Sequence, residues 1–128
     1  MNWGSIIIVV CVLVTVVGLK QLGLISANVA RMYLKQGAMV VDVRSAAEFK
    51  AGHLTGAANI PLDELANTLP RDIPDKNQVL LLHCLSGTRS GIAKRMLRGM
   101  GYQNVFNLGS YGRAKRIVSA AAQSKPAP

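Results

Sequence analysis

A single cysteine, Cys84, stands between a short apolar run and a turn of small residues. The run at 79–82 predicts a buried strand, and residues 90–100 predict a helix. Cys84 therefore lies on a strand-to-helix turn, where Gly87 can adopt backbone angles that other residues avoid. The inward-facing N–H groups of such a turn and the positive end of the following helix favour an anion.

The anion that this turn can hold most directly is the thiolate of Cys84 itself. At a helix N-terminus and near Arg89, its pKa is expected to fall below the free-thiol value of about 8.5, which makes it a nucleophile at neutral pH. The alternative is a buried structural cysteine, since cysteine is often fully buried. A turn of Gly, Ser and Thr that ends in Arg favours the reactive interpretation.

The N-terminal residues 3–19 contain no charge and consist mostly of Ile, Val and Leu. As a helix they would span about 25 Å, close to the lower limit for crossing a bilayer. We therefore expect one transmembrane segment in residues 1–22, with a cleaved signal peptide or a buried helix as alternatives. The basic residues that follow, Lys20, Arg31 and Lys35, predict a single-pass protein of the inner membrane with its globular part in the cytoplasm.

The two cysteines, Cys11 and Cys84, fall in different parts of the chain, so an intramolecular disulfide is not expected. A lone thiol in the folded part fits a reducing compartment. No CxxC pair or His/Cys cluster is present, so we expect neither a metal site nor a cofactor. The net charge is +9, and no acidic residue follows Asp75. This surplus favours anionic substrates or anionic lipid; without aromatic stacking residues it does not favour nucleic acid.

Alternating strands and helices organise the rest of the chain. Helices are expected at 26–36, 62–69, 90–100 and from 110, a short capped helix after Ser45 with its capping-box partner Glu48, and strands at 38–43, near 59–60, at 79–82 and at 104–107. This order predicts an α/β fold with a small, mostly parallel sheet flanked by helices, in a domain of residues 23–122 followed by a polar tail at 123–128. In such sheets the site lies beyond the carboxyl ends of the strands.

Three sequence blocks together resemble the rhodanese homology domain of single-domain sulfurtransferases. The blocks are Asp42-Val43-Arg44 with Glu48-Phe49, then Gly52-His53-Leu54 through Gly56-Ala57 to Asn59-Ile60-Pro61, then Cys84 to Arg89 with Ser90. The resemblance implies a rhodanese-like fold in which the loop cysteine carries sulfur as a persulfide. It assigns the persulfide to Cys84 and the surrounding cradle to Leu85, Ser86, Gly87, Thr88 and Arg89. One departure precedes the last helix, where many members have Gly-Gly and an aromatic residue and this chain has 108–112, LGSYG.

Four further residues are candidates for roles at the site. Arg44 lies just past its strand and is expected either to face the substrate pocket or to pair with Glu48. Asp42 is expected to hold loop amides beneath the site. His83 should point away from Cys84 as a core residue, and His53 should fix its own turn by a hydrogen bond.

The sequence thus predicts a membrane-anchored sulfurtransferase that uses a Cys84 persulfide. Its expected partners are a small anionic donor such as thiosulfate, a cyanide or thiol acceptor, and the lipid bilayer, with any protein partner unidentified. A second hypothesis is a non-catalytic binding or regulatory domain at the membrane.

A third hypothesis is a cysteine-dependent phosphatase, whose signature places five residues between Cys and Arg. Here four residues separate Cys84 from Arg89. A loop this short suits one added sulfur atom better than a phosphoryl group. A phosphatase would also need a general acid, for which Asp42 and Asp63 are the candidates.

Overall fold

The computed structural model describes residues 2–124, and the side chains of residues 19–22 lie outside the description. The helices are α1 Trp3–Leu22, α2 Ala27–Lys35, α3 Ala46–Ala51, α4 Leu65–Asp72, α5 Thr88–Gly99 and α6 Tyr111–Gln123. The strands are β1 Met39–Asp42, β2 Ala58–Asn59, β3 Leu80–His83 and β4 Val105–Gly109. A 3-10 turn, Leu62–Glu64, precedes α4. The predicted tail extends into residues 125–128, which are outside the described residues.

The four strands form one parallel sheet in the order β2-β1-β3-β4. All four residues of β3 are buried, as expected for a central strand covered on both faces. In the register, Asp42 of β1 pairs with His83 of β3, which in turn pairs with Gly109 of β4. The predicted α/β fold is confirmed, and the carboxyl ends of three strands meet where Cys84 follows β3.

Helices cover both faces of the sheet and create two buried clusters. One cluster lies on the α4 and α5 side and includes Leu65, Leu69, Leu97 and Cys84. The other lies on the α2 and α6 side and includes Ala30, Leu81 and Ile117. Because consecutive strand residues alternate between faces, Cys84 and the residue before it belong to opposite sides of the sheet.

Local capping signals set several helix boundaries. The hydroxyls of Ser26 and Ser110 accept hydrogen bonds from amides three residues later, and Ser45 and Glu48 form a complete capping box. Helix α5 begins two residues earlier than predicted. Gly87 (φ +99°) is its N-cap, so Thr88 and the following residue are already helical.

Within the described part of the chain, no helix combines the length and apolar character that crossing a bilayer requires. Helix α1 carries exposed large apolar side chains from Trp3 to Val17. The transmembrane helix predicted in residues 1–22 is not confirmed.

Candidate active site

Cys84 is buried at the carboxyl end of β3, directly before the loop that leads into α5. Its own N–H donates to the carbonyl oxygen of Gly109 (3.3 Å), which continues the pairing of β3 with β4. The backbone N–H of Gly87 donates to Cys84 Sγ over 3.0 Å. The loop therefore turns back over the sulfur, as the sequence predicted.

Only glycine fits easily at position 87. Its φ of +99° lies in the left-handed region, and a Cβ there would come within 3.2 Å of the Cα of Gly109. The loop and the end of β4 thus pass each other at backbone contact distance. This close approach aims the Gly87 amide at the sulfur.

A buried polar pair, Ser90 and Asn107, holds the loop from below. The Ser90 hydroxyl lies 2.7 Å from Asn107 Oδ1, 3.1 Å from the Gly87 carbonyl oxygen and 3.5 Å from Cys84 Sγ. The amide of Asn107 donates to the same Gly87 carbonyl (3.1 Å), and its Oδ1 accepts from the N–H of Gly109 (2.8 Å). Since Ser90 has one hydroxyl proton, it donates to one acceptor at a time, and a thiolate is one of the three within reach.

The pKa of Cys84 is lowered, as the sequence predicted, and the inward-facing amides of the turn are among the causes. Burial raises this pKa. Hydrogen bonds from the Ser90 hydroxyl and from the amides of Ser90, Gly87 and Ser86 lower it and together outweigh the effect of burial. The donors of the loop and of the first turn of α5 therefore stabilise the thiolate. Arg89, named from sequence as the neighbouring charge, also interacts with the sulfur: its pKa is raised mainly by its hydrogen bonds to Glu48 and, to a smaller extent, by the charge of Cys84.

Arg89 forms a bidentate ion pair with Glu48 of α3. The two bonds measure 2.7 and 3.0 Å. Hydrogen bonding from Arg89 lowers the pKa of Glu48 to about 2, so the pair is charged throughout the physiological range. The pair ties the start of α5 to α3 and leaves both side chains about one third exposed.

Arg44 lies on the opposite side of the sheet from the sulfur. Its guanidinium pairs with Asp42 (2.8 Å), donates to the carbonyl of Gly52 (2.7 Å) and stacks over the ring of Tyr111 at 4.7 Å. The predicted pairing of Arg44 with Glu48 is therefore wrong. The position of Arg44 on the face opposite the sulfur does not support contact with a substrate. Asp42 accepts from the Arg44 amide (2.9 Å), so the loop amide that it holds belongs to the β1 loop.

Both histidines have the structural placements that the sequence predicted. His83 is fully buried, its Nδ1 lies 3.2 Å from the Cys84 carbonyl oxygen, and burial lowers its pKa. His53 Nδ1 bonds to the carbonyl of Phe49 (2.9 Å), and the two rings stack at 3.8 Å. Neither ring is within hydrogen-bond reach of the sulfur.

The rest of the predicted cradle forms the exposed surface of the loop. Leu85, Ser86 and Thr88 are exposed, Leu85 accepts from the amide of Tyr111, and Ser86 bridges to Ser110. The departure at 108–112 keeps Gly109 at positive φ and uses Ser110 as the cap of α6. The described residues contain no group of three or more His, Cys, Asp or Glu side chains that could hold a metal ion.

Asn107 and the Ser90 hydroxyl belong to the site but were not predicted there from the sequence. Their signal was present, because Asn107 is a polar residue in an otherwise apolar strand. A buried amide in that position needs partners. Which residues those are depends on how β4 packs on α5.

The family model of the Rhodanese-like domain matches residues 26–112. The chain belongs to the rhodanese-like domain family. The thiosulfate sulfurtransferase PspE of Escherichia coli (strain K12) is 41% identical over 69 residues, which cover 54% of this chain and 66% of PspE. This rhodanese-like chain thus spans just under two thirds of that relative.

Two further relatives agree with this assignment. The thiosulfate sulfurtransferase GlpE of Pseudomonas entomophila is 32% identical over 84 residues, covering 66% of this chain and 75% of GlpE. The human single-domain sulfurtransferase TSTD1 superposes with a TM-score of 0.64 at 28% identity, covering 81% of this chain and 98% of TSTD1. Relatives of this rhodanese-like domain are therefore named as sulfurtransferases, and its fold matches theirs.

Proposed function

We propose that this rhodanese-like protein is a sulfurtransferase that takes sulfane sulfur from a donor such as thiosulfate and passes it to cyanide or a thiol. The observation that carries the proposal is the hydrogen bond from the Gly87 amide to Cys84 Sγ at 3.0 Å. With Ser90 and the other amides of the loop, it stabilises the negative charge that a nucleophilic sulfur needs. The names of the relatives support the same reaction.

In the first half-reaction the Cys84 thiolate attacks the outer sulfur of thiosulfate. A bond forms between Sγ and that sulfur, the sulfur–sulfur bond of the donor breaks, and its electron pair leaves with sulfite. The loop donors that held the thiolate then face the terminal sulfur of the persulfide. Because Cys84 is fully buried, the residues around the sulfur have to move for the donor to reach it.

In the second half-reaction the acceptor attacks the outer sulfur of the persulfide. The bond from that sulfur to Sγ breaks, and its electron pair returns to Cys84 as a thiolate. Cyanide leaves as thiocyanate, whereas a thiol leaves as a persulfide. Covalent transfer in two steps predicts ping-pong kinetics.

The other two hypotheses have less support. A phosphatase would need a mobile general acid, but Asp42 is fully buried against Arg44, and Asp63 lies in the turn before α4. A non-catalytic domain would have no need for a thiol whose pKa is lowered by several donors.

Intact mass spectrometry tests the proposal. The wild-type protein, incubated with thiosulfate, should gain the mass of one sulfur atom, and a reductant should remove it. Cys84→Ser should gain nothing, while the matched control Cys11→Ser should behave as wild type. No gain in the wild type, or an equal gain in Cys84→Ser, would refute the proposed function.

We also propose that α1 attaches the domain to the cytoplasmic side of the inner membrane. The proposal is supported by the exposed apolar side chains of α1 and by the basic residues that follow it. The test is to fractionate cells that express the full chain and to measure how the protein divides between the membrane and soluble fractions. Recovery of the full-length protein in the soluble fraction would overturn this attachment and leave the sulfur chemistry untouched.

A further inference from the structure

An open groove lies between the 3-10 turn and α4 on one side and α5 on the other. Its volume is about 460 Å³, within the range of small-molecule sites. Its apolar walls are formed by Val43, Pro61, Leu62, Ala66, Ile92 and Met96. Three polar residues, Ser45, Asp63 and Arg89, complete the lining. The groove is thus mainly apolar, with few polar groups.

One residue that lines the groove, Val43, is a neighbour of the buried catalytic cysteine. The N–H of Val43 donates to the carbonyl of His83 (3.0 Å), and Asp42 and His83 are partners in the register. Val43 and Cys84 therefore follow side by side on neighbouring strands, which lie about 4.8 Å apart. Both side chains belong to the same buried cluster. The wall of the groove is thus next to the residue that carries the transferred sulfur.

The charges around the groove bear on what it binds. Arg89 is already bound by both oxygens of Glu48, so an anionic ligand would have to compete with that pair. Ile92 is 43% exposed to solvent, and covering it would release water from apolar surface. A ligand with an uncharged carbon body therefore fits this groove better than a small anion does.

We propose that this groove binds the carbon body of the acceptor, and that the acceptor is an organic thiol with an apolar chain. The inference rests on the proposed sulfurtransferase function. The bound thiolate attacks the outer sulfur of the Cys84 persulfide, the bond from that sulfur to Sγ breaks, and its electron pair returns to Cys84. The product is the persulfide of the acceptor. Cyanide has no carbon chain and gains nothing from the groove.

The test uses the full chain, first loaded with sulfur and freed of excess thiosulfate. The rate of sulfur loss is then measured by intact mass with 1-butanethiol, 2-mercaptoethanol or cyanide, with each thiol rate corrected for its thiolate fraction. The wild type should transfer to butanethiol about tenfold faster than to mercaptoethanol, since a few methylene groups in an apolar site give discrimination of this order.

Two variants assign the preference to the groove. Ala66→Glu places a carboxylate in it, and Ile92→Ala removes part of a wall; each should lower the butanethiol rate about tenfold and leave the cyanide rate unchanged. Ala122→Glu, an exposed alanine of α6 outside the groove, is the matched control and should change neither rate. Equal wild-type rates for the two thiols, or equal losses for butanethiol and cyanide in both variants, would overturn the inference. Failure of the wild type to load sulfur would instead refute the proposed function.

Discussion

The side-chain amide of Asn107 on β4 donates a hydrogen bond of 3.1 Å to the carbonyl oxygen of Gly87 in the cysteine loop. This bond holds the Gly87 carbonyl in place, while the amides of Ser86 and Gly87 point toward the sulfur. Asn107 thus helps to orient the loop donors that lower the thiol pKa.

Replacing Asn107 with Ala should weaken both the fold and the nucleophile. The substitution removes the partners of buried Ser90 and of the Gly109 amide, which should lower the free energy of unfolding by about 1–3 kcal/mol. It should also raise the pKa of Cys84, because the loop donors lose their orientation. Urea denaturation and the pH dependence of alkylation measure the two effects.

The matched control is Asn104→Ala, which removes one amide bond to the Asn77 carbonyl at the surface. It should leave the thiol pKa unchanged. Equal alkylation profiles for the two variants would contradict the positioning role of Asn107.

The alkylation rate of Cys84 should show a midpoint below the ordinary thiol pKa. A lowered pKa means that the thiolate, the reactive form, persists to lower pH and is lost only as the pH falls through the shifted value. Ser90→Ala removes a donor that favours the thiolate, so its midpoint should move upward and its rate at neutral pH should fall. Ser119→Ala, on the exposed face of α6, is the control and should leave the midpoint unchanged. If the midpoint of Ser90→Ala equals that of the wild type, this account is contradicted.

Gly87→Ala should impair sulfur loading more than any other alanine replacement of a loop glycine. The new Cβ would meet the backbone of Gly109 at 3.2 Å and would also require an unfavourable positive φ. We expect a loss of at least about 1 kcal/mol of stability and little persulfide by intact mass. Gly112→Ala in α6 has open space around it and should load as the wild type does; normal loading by Gly87→Ala would show that the loop tolerates a different path.

The pair between Glu48 and Arg89 should stabilise the domain in a pH window that follows from the pKa of Glu48. This pKa is about 2 in the folded protein, against an ordinary value of 4.5. For a lowered carboxyl pKa, the contribution is complete above about 4.5 and is lost as the pH falls through about 2. The difference in Tm between the wild type and Glu48→Gln should therefore shrink over that interval. A difference that stays constant from pH 6 to pH 2 would argue against the pair.

The sequence predicted features that depend on neighbours along the chain. The Ser26 cap, the capping box of Ser45 and the turn at Cys84 are each determined by a few consecutive residues. The partners of Arg89 and Ser90 could not be predicted in this way, because Glu48 and Asn107 are distant in sequence and only the packing of α5 on the sheet brings them close. The partner of Arg44 was missed for another reason: Asp42 lies only two residues before it, but the sequence does not show that both side chains are on the same face of the sheet.

Gly23 is the one residue between the end of α1 and the first residue joined to the sheet. Leu24 bridges to Asn107, the amide of Ile25 bonds to the Asn107 carbonyl (3.0 Å), and Lys94 Nζ bonds to the carbonyl of Gly23 (3.1 Å). The joint is therefore a pivot rather than a tether. One residue spans at most about 3.6 Å, so the domain begins directly at the end of α1 and stays beside whatever surface α1 contacts.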